Sequence, residues 1–210
     1  MMNKAGMLIT LTNTGKRFNR EWIFRGVDQQ FASPGRYAIT GSNGSGKSTL
    51  LQVIAGAITH SEGAVTYQTV GGKQLLPKQH FSEIAIAAPY LELMEELTAL
   101  EMIRFHAGFK SLTTTPETVL EKLSLQAVAN RQIRHFSSGM KQRLKLGLAF
   151  FSHTPVLLLD EPTTNLDAEG NTLYQSLIQA QTAGRMIIIS SNVPAEYAFC
   201  EKVICMEHFK

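Results

Sequence analysis

Residues 37–49 read Tyr-Ala-Ile-Thr-Gly-Ser-Asn-Gly-Ser-Gly-Lys-Ser-Thr, with a complete G-x-x-x-x-G-K-[ST] pattern from Gly41 to Ser48. The residues before the pattern suit a β-strand, and those after it suit a buried helix. In a strand–loop–helix unit, backbone N–H groups and the helix dipole point at a bound phosphate. Lys47 adds a positive charge, and the Ser48 hydroxyl can coordinate Mg²⁺. A glycine-rich turn that matches by accident is the alternative, and the flanking strand and helix argue against it. We predict nucleotide binding by Gly41, Ser42, Asn43, Gly44, Ser45, Gly46, Lys47, Ser48 and Thr49.

The composition indicates an ordinary globular domain. The chain has 210 residues, 44% of them hydrophobic, which is enough for a sizeable core, and we expect one domain over residues 1–210. A net charge of +3 is too small to indicate binding to nucleic acid or to an anionic membrane. Cys200 and Cys205 form neither a disulfide framework nor a metal-ligand pattern, which fits a reducing cytoplasm. We expect no signal peptide, no bilayer-spanning segment and no regulatory C-terminal domain.

The residue pattern along the chain predicts an α/β fold. Strand-type runs are followed by helical ones, and the later strands alternate with helices. The predicted strands cover 7–12, 27–31, 36–40, 63–68, 84–88, 156–160, 186–190 and 202–206. Helices are predicted from about 97, from 115, and over 138–151, 168–180 and 195–200. The result is an α/β core with a helical insert at about 92–150.

Two further expectations concern side-chain placement. Leu97, Leu100 and Phe105, together with Met102 or Ile103, are predicted to fall on one face of the first insert helix. The six histidines are expected at the surface or at helix ends.

A second candidate site lies at the end of the apolar run Val156-Leu157-Leu158-Leu159. Such a run is typical of a central parallel strand, and Asp160 and Glu161 follow at its C-terminal tip, where open α/β sheets bind ligands. Asp160 is predicted to hold Mg²⁺, and Glu161 to polarise the water that attacks a γ-phosphate. A pair of solvated loop acids is the alternative.

A third candidate site is the run Phe136-Ser137-Ser138-Gly139-Met140-Lys141-Gln142-Arg143. Two serines and a glycine open a helix, whose free N–H groups can bind phosphate. A helix that is merely capped by serine explains the same residues. The segment alone leaves both interpretations open.

Taken together, these sites resemble the ATP-binding cassette (ABC) ATPases over essentially the whole chain. The likeness rests on the phosphate loop, the Ser-Ser-Gly-Met-Lys-Gln-Arg run, the Leu-Leu-Leu-Asp-Glu-Pro-Thr run and Thr164-Asn165-Leu166-Asp167, in that order. It implies a P-loop NTPase core with a mixed parallel sheet, an N-terminal antiparallel β subdomain and a helical insert. It also implies an ATPase that uses ATP and Mg²⁺, with Lys47 and Glu161 as catalytic residues.

The resemblance also implies how ATP is held. Phe18 matches an aromatic residue that stacks on adenine, although a core phenylalanine is equally consistent with its residue type. The family forms head-to-tail dimers, in which ATP lies between one phosphate loop and the partner's signature helix. In this chain that helix starts with Ser137, Ser138 and Gly139, and Asp167 matches the loop that crosses the dimer seam. ATP would then join the two subunits, and hydrolysis would release them.

Two positions depart from the family pattern. Pro89 aligns with a glutamine near Mg²⁺ and the attacking water, and proline offers no side-chain ligand. A shifted alignment would bring Tyr90 or Glu92 nearer the metal. Asn192 replaces a histidine at the γ-phosphate, and its amide can donate a hydrogen bond but carries no charge. We expect slow but real hydrolysis.

Among the members of this family, the chain resembles the separate ATPase subunits of export-type transporters, including the bacterial haem exporter of cytochrome c maturation. The expected partners are a second cassette, identical or different, and a membrane permease on another chain. The protein would lie in the cytoplasm at the inner face of the membrane, and nucleic acid is not an expected partner. A non-transport cassette protein and a catalytically weak ATP-dependent switch remain as alternatives.

Overall fold

The computed structural model describes residues 6–76 and 79–210, so the N-terminal residues for which we expected no signal peptide lie outside it. Eight strands and six α-helices follow one another in the described chain. The strands are β1 (Met7–Phe18), β2 (Glu21–Ala32), β3 (Gly35–Thr40), β4 (Glu62–Thr69), β5 (Ile84–Ala87), β6 (Val156–Asp160), β7 (Met186–Ser190) and β8 (Lys202–Cys205). The helices are α1 (Lys47–Ile54), α2 (Ala99–Ala107), α3 (Pro116–Lys122), α4 (Ser138–Phe150), α5 (Ala168–Gln181) and α6 (Pro194–Tyr197). Short 3₁₀ helices cover 80–83, 126–128, 133–135 and 206–209.

A five-stranded parallel sheet carries the candidate site on its C-terminal edge. Its order is β5-β6-β7-β3-β8, so β7 separates the strand that precedes the phosphate loop from the strand that ends in Asp160. Every residue of β6 and β7 is buried, as expected for strands covered on both faces. Ser190 pairs with Ile39 on one side and with Asp160 on the other. The end of β3 and the end of β6 therefore reach the same edge of the sheet.

A three-stranded antiparallel sheet of order β2-β1-β4 completes the N-terminal part. β1 and β2 are longer than the sequence predicts, because bulges interrupt the alternation of apolar and polar residues. The register shifts between Leu11 and Thr14, where Asn13 takes a positive φ of 44°, and Gly26 in β2 takes 63°. Strands with such interruptions keep their pairing while their sequence loses its period of two.

Three helices lie between β5 and β6, and their starts match the sequence signals. Thr98 and Glu101 form the predicted capping box: the Thr98 hydroxyl accepts from the Glu101 N–H, and the Glu101 carboxylate accepts from the Thr98 N–H. Pro116 begins α3 after a Thr115 cap. Along α2, the Phe105 side chain is 41% exposed, while Met102 and Ile103 fill the core.

Apolar side chains cover both faces of the parallel sheet. One cluster joins the sheet to the insert helices and α5, and the other joins it to α1 and the antiparallel sheet. His80 begins the 3₁₀ helix 80–83 and is buried at 7% exposure, so it is not a surface residue. Its ring stacks on Tyr67 with centroids 4.3 Å apart.

No helix within residues 6–76 and 79–210 has the length and apolar character needed to span a bilayer.

Candidate functional site

The phosphate loop connects β3 to α1 and depends on its glycines. Gly46, the residue before α1, has a φ of 100°, and a Cβ added there would lie 2.7 Å from Cγ2 of Ile23. Gly41 has a φ of 144°, and a Cβ there would lie 2.6 Å from the Ser45 hydroxyl. Both the backbone angle and the space at these positions therefore require glycine.

The loop presents hydrogen-bond donors without protein acceptors. No side chain caps α1, and in the described part of the chain the N–H groups of Lys47, Ser48 and Thr49 have no acceptor. Lys47 is 5% exposed, and its ammonium donates to the carbonyls of Gly41 and Ser42 at 2.8 and 3.0 Å. The buried Ser45 hydroxyl is unpartnered among the described residues. An uncapped helix N-terminus with a buried ammonium fits a polyphosphate.

Ser48 and Asp160 meet at the sheet edge. The Ser48 hydroxyl donates to Oδ1 of Asp160 at 3.1 Å, and Asp160 is only 1% exposed. Burial raises the pKa of Asp160. The described residues contain no cluster of three or more histidine, cysteine or acidic side chains able to hold a metal alone. Two hard oxygen groups beside a phosphate loop nevertheless fit Mg²⁺, which usually takes further ligands from water and the nucleotide.

Glu161 follows Asp160 in an unusual backbone conformation. Its φ is 43°, in the left-handed region, and its N–H donates to the Ser190 carbonyl at 2.8 Å. The Glu161 carbonyl accepts from the Thr164 N–H at 3.1 Å, so residues 161–164 form a tight turn. We name this segment the Glu161 turn. Its conformation turns the chain sharply at the end of β6.

Two side chains that no sequence signal connects with Glu161 hold the Glu161 turn. The amide of Gln142, which is buried in α4, donates to the Pro162 carbonyl at 2.8 Å. The carboxylate of Glu196 in α6 accepts from the Thr163 N–H at 2.9 Å and also from the Thr163 hydroxyl. Gln142 belongs to the conspicuous signature run. Glu196 had no such signal, because it contacts a residue 33 positions away.

Asn192 and Phe18 both lie outside the core. The Asn192 amide donates to Oδ1 of Asn43 at 3.2 Å, which brings the end of β7 to the phosphate loop, and its contact with a γ-phosphate stays a prediction. Phe18 is 49% exposed at the end of β1, with the Lys16 ammonium 4.8 Å from its ring centre. The alternative that Phe18 is a core residue is therefore wrong, and adenine stacking stays a prediction.

The signature segment forms a serine-capped helix start. The Ser137 hydroxyl accepts from the Met140 N–H at 3.2 Å, while Ser138 and Gly139 are exposed or half-exposed. Across the described chain, no hydrogen bond joins these residues to the phosphate loop. Asp167 caps α5 by accepting from the Gly170 N–H at 2.8 Å, and it pairs with Arg143 at 3.1 Å. A single chain therefore keeps its signature helix apart from its own phosphate loop.

The segment after β5 contains Pro89, which stands where the family carries a glutamine. Pro89 and Tyr90 form a turn in which the Leu91 N–H donates to the Ala88 carbonyl at 3.2 Å. The Lys145 ammonium of α4 donates to the Pro89 carbonyl at 3.0 Å. Burial and the nearby charge of Asp160 raise the pKa of Tyr90, whereas Glu92 lies beside Lys145. Of the two alternatives, Tyr90 is the one that comes near Asp160.

The C-terminal segment supports the phosphate loop from outside. Oε1 of Glu207 accepts from the Ser42 N–H at 2.7 Å, and Oε2 accepts from the Cys205 thiol at 3.0 Å. The Ser42 N–H holds the pKa of Glu207 at about 2, well below its usual range. The sequence contained no signal for this contact.

Comparison with known proteins agrees with this geometry. A family model described as ABC transporter matches residues 24–164. The cytochrome c biogenesis ATP-binding export protein CcmA of Rhizobium etli is 31% identical over 195 residues, which cover 90% of this chain and 89% of CcmA. The uncharacterized ABC transporter ATP-binding protein YybJ of Bacillus subtilis is 27% identical over 206 residues, which cover 96% and 93% of the two chains.

Solved structures share the fold. An ATP-binding subunit of an ABC transporter superimposes with a TM-score of 0.82 at 24% identity, covering 94% of this chain and 85% of that one. The cassette MJ0796, solved as a dimer, superimposes with a TM-score of 0.79 at 21% identity, covering 94% of this chain and 93% of that one. The predicted fold class and the predicted resemblance to export-type cassettes are confirmed. The chain belongs to the ABC transporter family, as one of its ATP-hydrolysing cassettes.

Proposed function

We propose that this cassette drives an export-type transporter by hydrolysing ATP at the edge of its parallel sheet. The contact between Ser48 and Asp160 carries the proposal, because it places two Mg²⁺-compatible oxygens between the phosphate loop and Glu161. The loop N–H groups and Lys47 would bind the β- and γ-phosphates. Phe18 would stack on the adenine, and Asn192 would donate to the γ-phosphate.

The hydrolytic step follows from the proposed positions. Glu161 accepts a proton from water, whose oxygen bonds to the γ-phosphorus as the bond to the bridging oxygen breaks. The bonding electrons leave with ADP, and Lys47 stabilises the charge on the phosphates. Mg²⁺, when bound through Ser48 and Asp160, neutralises part of that charge.

We infer that ATP completes its site only between two chains. In one chain, the signature helix makes no hydrogen bond to the phosphate loop within the described residues, so its exposed N-terminus is available to another subunit's ATP. Ser137, Ser138 and Gly139 would contact the partner's γ-phosphate, and Asp167 would lie at the seam. The partner is a second copy of this chain or a related cassette, and the dimeric MJ0796 cassette supports such an assembly.

A permease on a separate chain would anchor the dimer at the inner face of the membrane. The helical insert leaves large apolar side chains exposed: Met94 at 47%, Phe105 at 41% and Phe109 at 73%. The rings of Phe105 and Phe109 lie 5.1 Å apart. Exposed apolar clusters of this kind mark interaction sites. Export as the direction rests on the name of CcmA, which is described as an ATP-binding export protein.

Phosphate release and ATP-dependent assembly test this function. We expect wild-type protein to release phosphate from Mg-ATP slowly, and Lys47→Ala to abolish both release and nucleotide binding. Glu161→Gln should bind ATP without hydrolysing it, and should double in mass by light scattering. A Glu161→Gln variant that stays monomeric in excess Mg-ATP would contradict a site completed by a second copy of this chain. Unchanged release by Lys47→Ala would contradict the assignment of the loop.

Pro89 and Asn192, which stand where the family carries a glutamine and a histidine, support a second candidate, a weakly catalytic ATP-dependent switch. Pro89 offers no side-chain donor, and Asn192 carries no charge. In that case ATP would drive dimer formation in the wild-type protein as strongly as in Glu161→Gln, and phosphate release would stay at background.

A further inference from the structure

The Glu161 turn is unfavourable by itself. A residue with a Cβ atom rarely adopts a positive φ, and such conformations persist only where the surroundings enforce them. At Glu161, φ is 43°. The turn's own hydrogen bond, from the Thr164 N–H to the Glu161 carbonyl, spans 3.1 Å. Contacts from other elements must therefore help to keep Glu161 in place.

Glu196 makes the contacts needed for this purpose. Oε1 accepts from both the N–H and the hydroxyl of Thr163, two residues after Glu161. The Glu196 backbone is fixed as well, because the buried Tyr174 hydroxyl donates to its carbonyl at 2.8 Å. A carboxylate that accepts two donors from one residue, and is itself held by a core side chain, restrains that residue tightly.

The burial of Glu196 is hard to explain by stability alone. The side chain is 3% exposed, and its Oε2 has no hydrogen-bond partner among the described residues. A buried carboxylate with one unsatisfied oxygen is costly, and an apolar residue of similar size would avoid that cost. The residue is therefore better explained by what it positions.

We propose that Glu196 is a positioning residue for ATP hydrolysis, which holds Thr163 and thereby sets the direction of the Glu161 carboxylate. The inference rests on the proposed role of Glu161. Asn192, the proposed γ-phosphate donor, lies four residues before Glu196 in the same short segment, and the Val193 N–H donates to the Ser191 hydroxyl at 2.9 Å. Contact between Asn192 and the γ-phosphate would thus reach the Glu161 turn through Glu196.

The test compares variants that keep or remove the acceptor. Glu196→Gln retains a side-chain oxygen in the same place, and Glu196→Ala removes it. Thr163→Val removes only the hydroxyl donor. The exposed Glu201→Ala is a control of equal charge change in the same region. We would measure kcat and KM for ATP, the affinity for Mg-ATP without turnover, and the thermal midpoint of each variant.

We expect Glu196→Ala to lower kcat about 10- to 100-fold, because a small misplacement of a catalytic group has effects of this size. KM and Mg-ATP affinity should stay within about two-fold, because the phosphate loop is untouched. Glu196→Gln should recover most of kcat, Thr163→Val should lose less than Glu196→Ala, and Glu201→Ala should match the wild type. If Glu196→Ala does not fold, Thr163→Val alone decides, and a wild-type kcat there would overturn the proposal.

Three further results would also overturn it. These are a wild-type kcat in folded Glu196→Ala, equal losses in Glu196→Gln and Glu196→Ala, and a rise in KM at constant kcat. Glu161→Gln separates this proposal from the proposed function. If turnover survives in Glu161→Gln, the role of Glu161 itself is refuted. If Glu161→Gln loses turnover while the Glu196 variants keep the wild-type kcat, only the positioning role of Glu196 is refuted.

Discussion

Lowering the pH should destabilise this protein through His106. The Nε2 atom of this residue lies 2.8 Å from the Ser152 hydroxyl, between α2 and the end of α4. Burial, assisted by the nearby Lys110, lowers the pKa of His106 from 6.5 to about 4. The folded state thus holds a neutral imidazole at a pH where the unfolded chain has already bound a proton.

The sign and size of the effect follow from that difference. Because the pKa of His106 is depressed in the folded state, the contribution of its neutral imidazole to the free energy of unfolding is fully present above pH 6.5. This contribution is lost as the pH falls toward 4. Between pH 7.5 and 5.0, the loss in unfolding free energy amounts to about 2 kcal/mol. The total loss in unfolding free energy approaches about 3 kcal/mol below pH 4.

Urea unfolding of wild type and His106→Gln between pH 7.5 and 5.0 measures this loss. The amide that His106→Gln introduces cannot titrate in this range, so the variant should lose about 2 kcal/mol less than the wild type over the same interval. All other titrating groups contribute equally to both proteins and cancel in the comparison. Parallel pH dependences, or an NMR titration of His106 with a midpoint near its ordinary value, would refute the reasoning.

Three further outcomes test the site and the core. Gly46→Ala should weaken ATP binding at least about ten-fold, because the added Cβ would lie 2.7 Å from Cγ2 of Ile23 in β2. The Cβ of Gly44→Ala meets open space, so this control variant should bind ATP more tightly than Gly46→Ala. Isothermal titration calorimetry measures both affinities. If the Tyr90 hydroxyl near Asp160 serves hydrolysis, Tyr90→Phe should lower kcat at least about ten-fold at unchanged ATP affinity. Tyr90→Gln should then be more active than Tyr90→Phe. Equal kcat in wild type and Tyr90→Phe would argue against this role. Leu158→Ala, at a position with 0% exposure, should lower the unfolding free energy by about 2–5 kcal/mol in urea, and a loss under about 1 kcal/mol would contradict tight packing of the sheet.

Local sequence signals predicted the fold wherever they were continuous. The apolar run before Asp160, the capping box at Thr98 and the proline at the start of α3 each match an observed element. The predictions were less accurate where a bulge breaks the period of two. β1 continues from the predicted end at 12 to Phe18 through a positive φ at Asn13.

The candidate site was predicted as far as its residues lie within recognisable runs. Ser48 and Asp160, 112 positions apart, meet as their motifs require. Glu196 and Glu207 carry no recognisable sequence signal, because each makes a contact set only by the tertiary fold. The exposure of Phe105 was likewise not predicted, since its helical face contributes to the core at some positions and is exposed at others. Periodicity identifies a face, whereas the neighbouring elements decide how far it is covered.

The bond between Gln142 and Pro162 has a consequence for cooperativity. Gln142 lies in the helix whose N-terminus would contact the ATP bound by the other subunit, and Pro162 lies in the turn that carries this subunit's own proposed hydrolytic carboxylate, Glu161. In the proposed dimer, one hydrogen bond of 2.8 Å would thus connect both ATP sites. Occupancy of one site would change the readiness of the other, so the Hill coefficient for ATP should exceed one and should fall in Gln142→Leu.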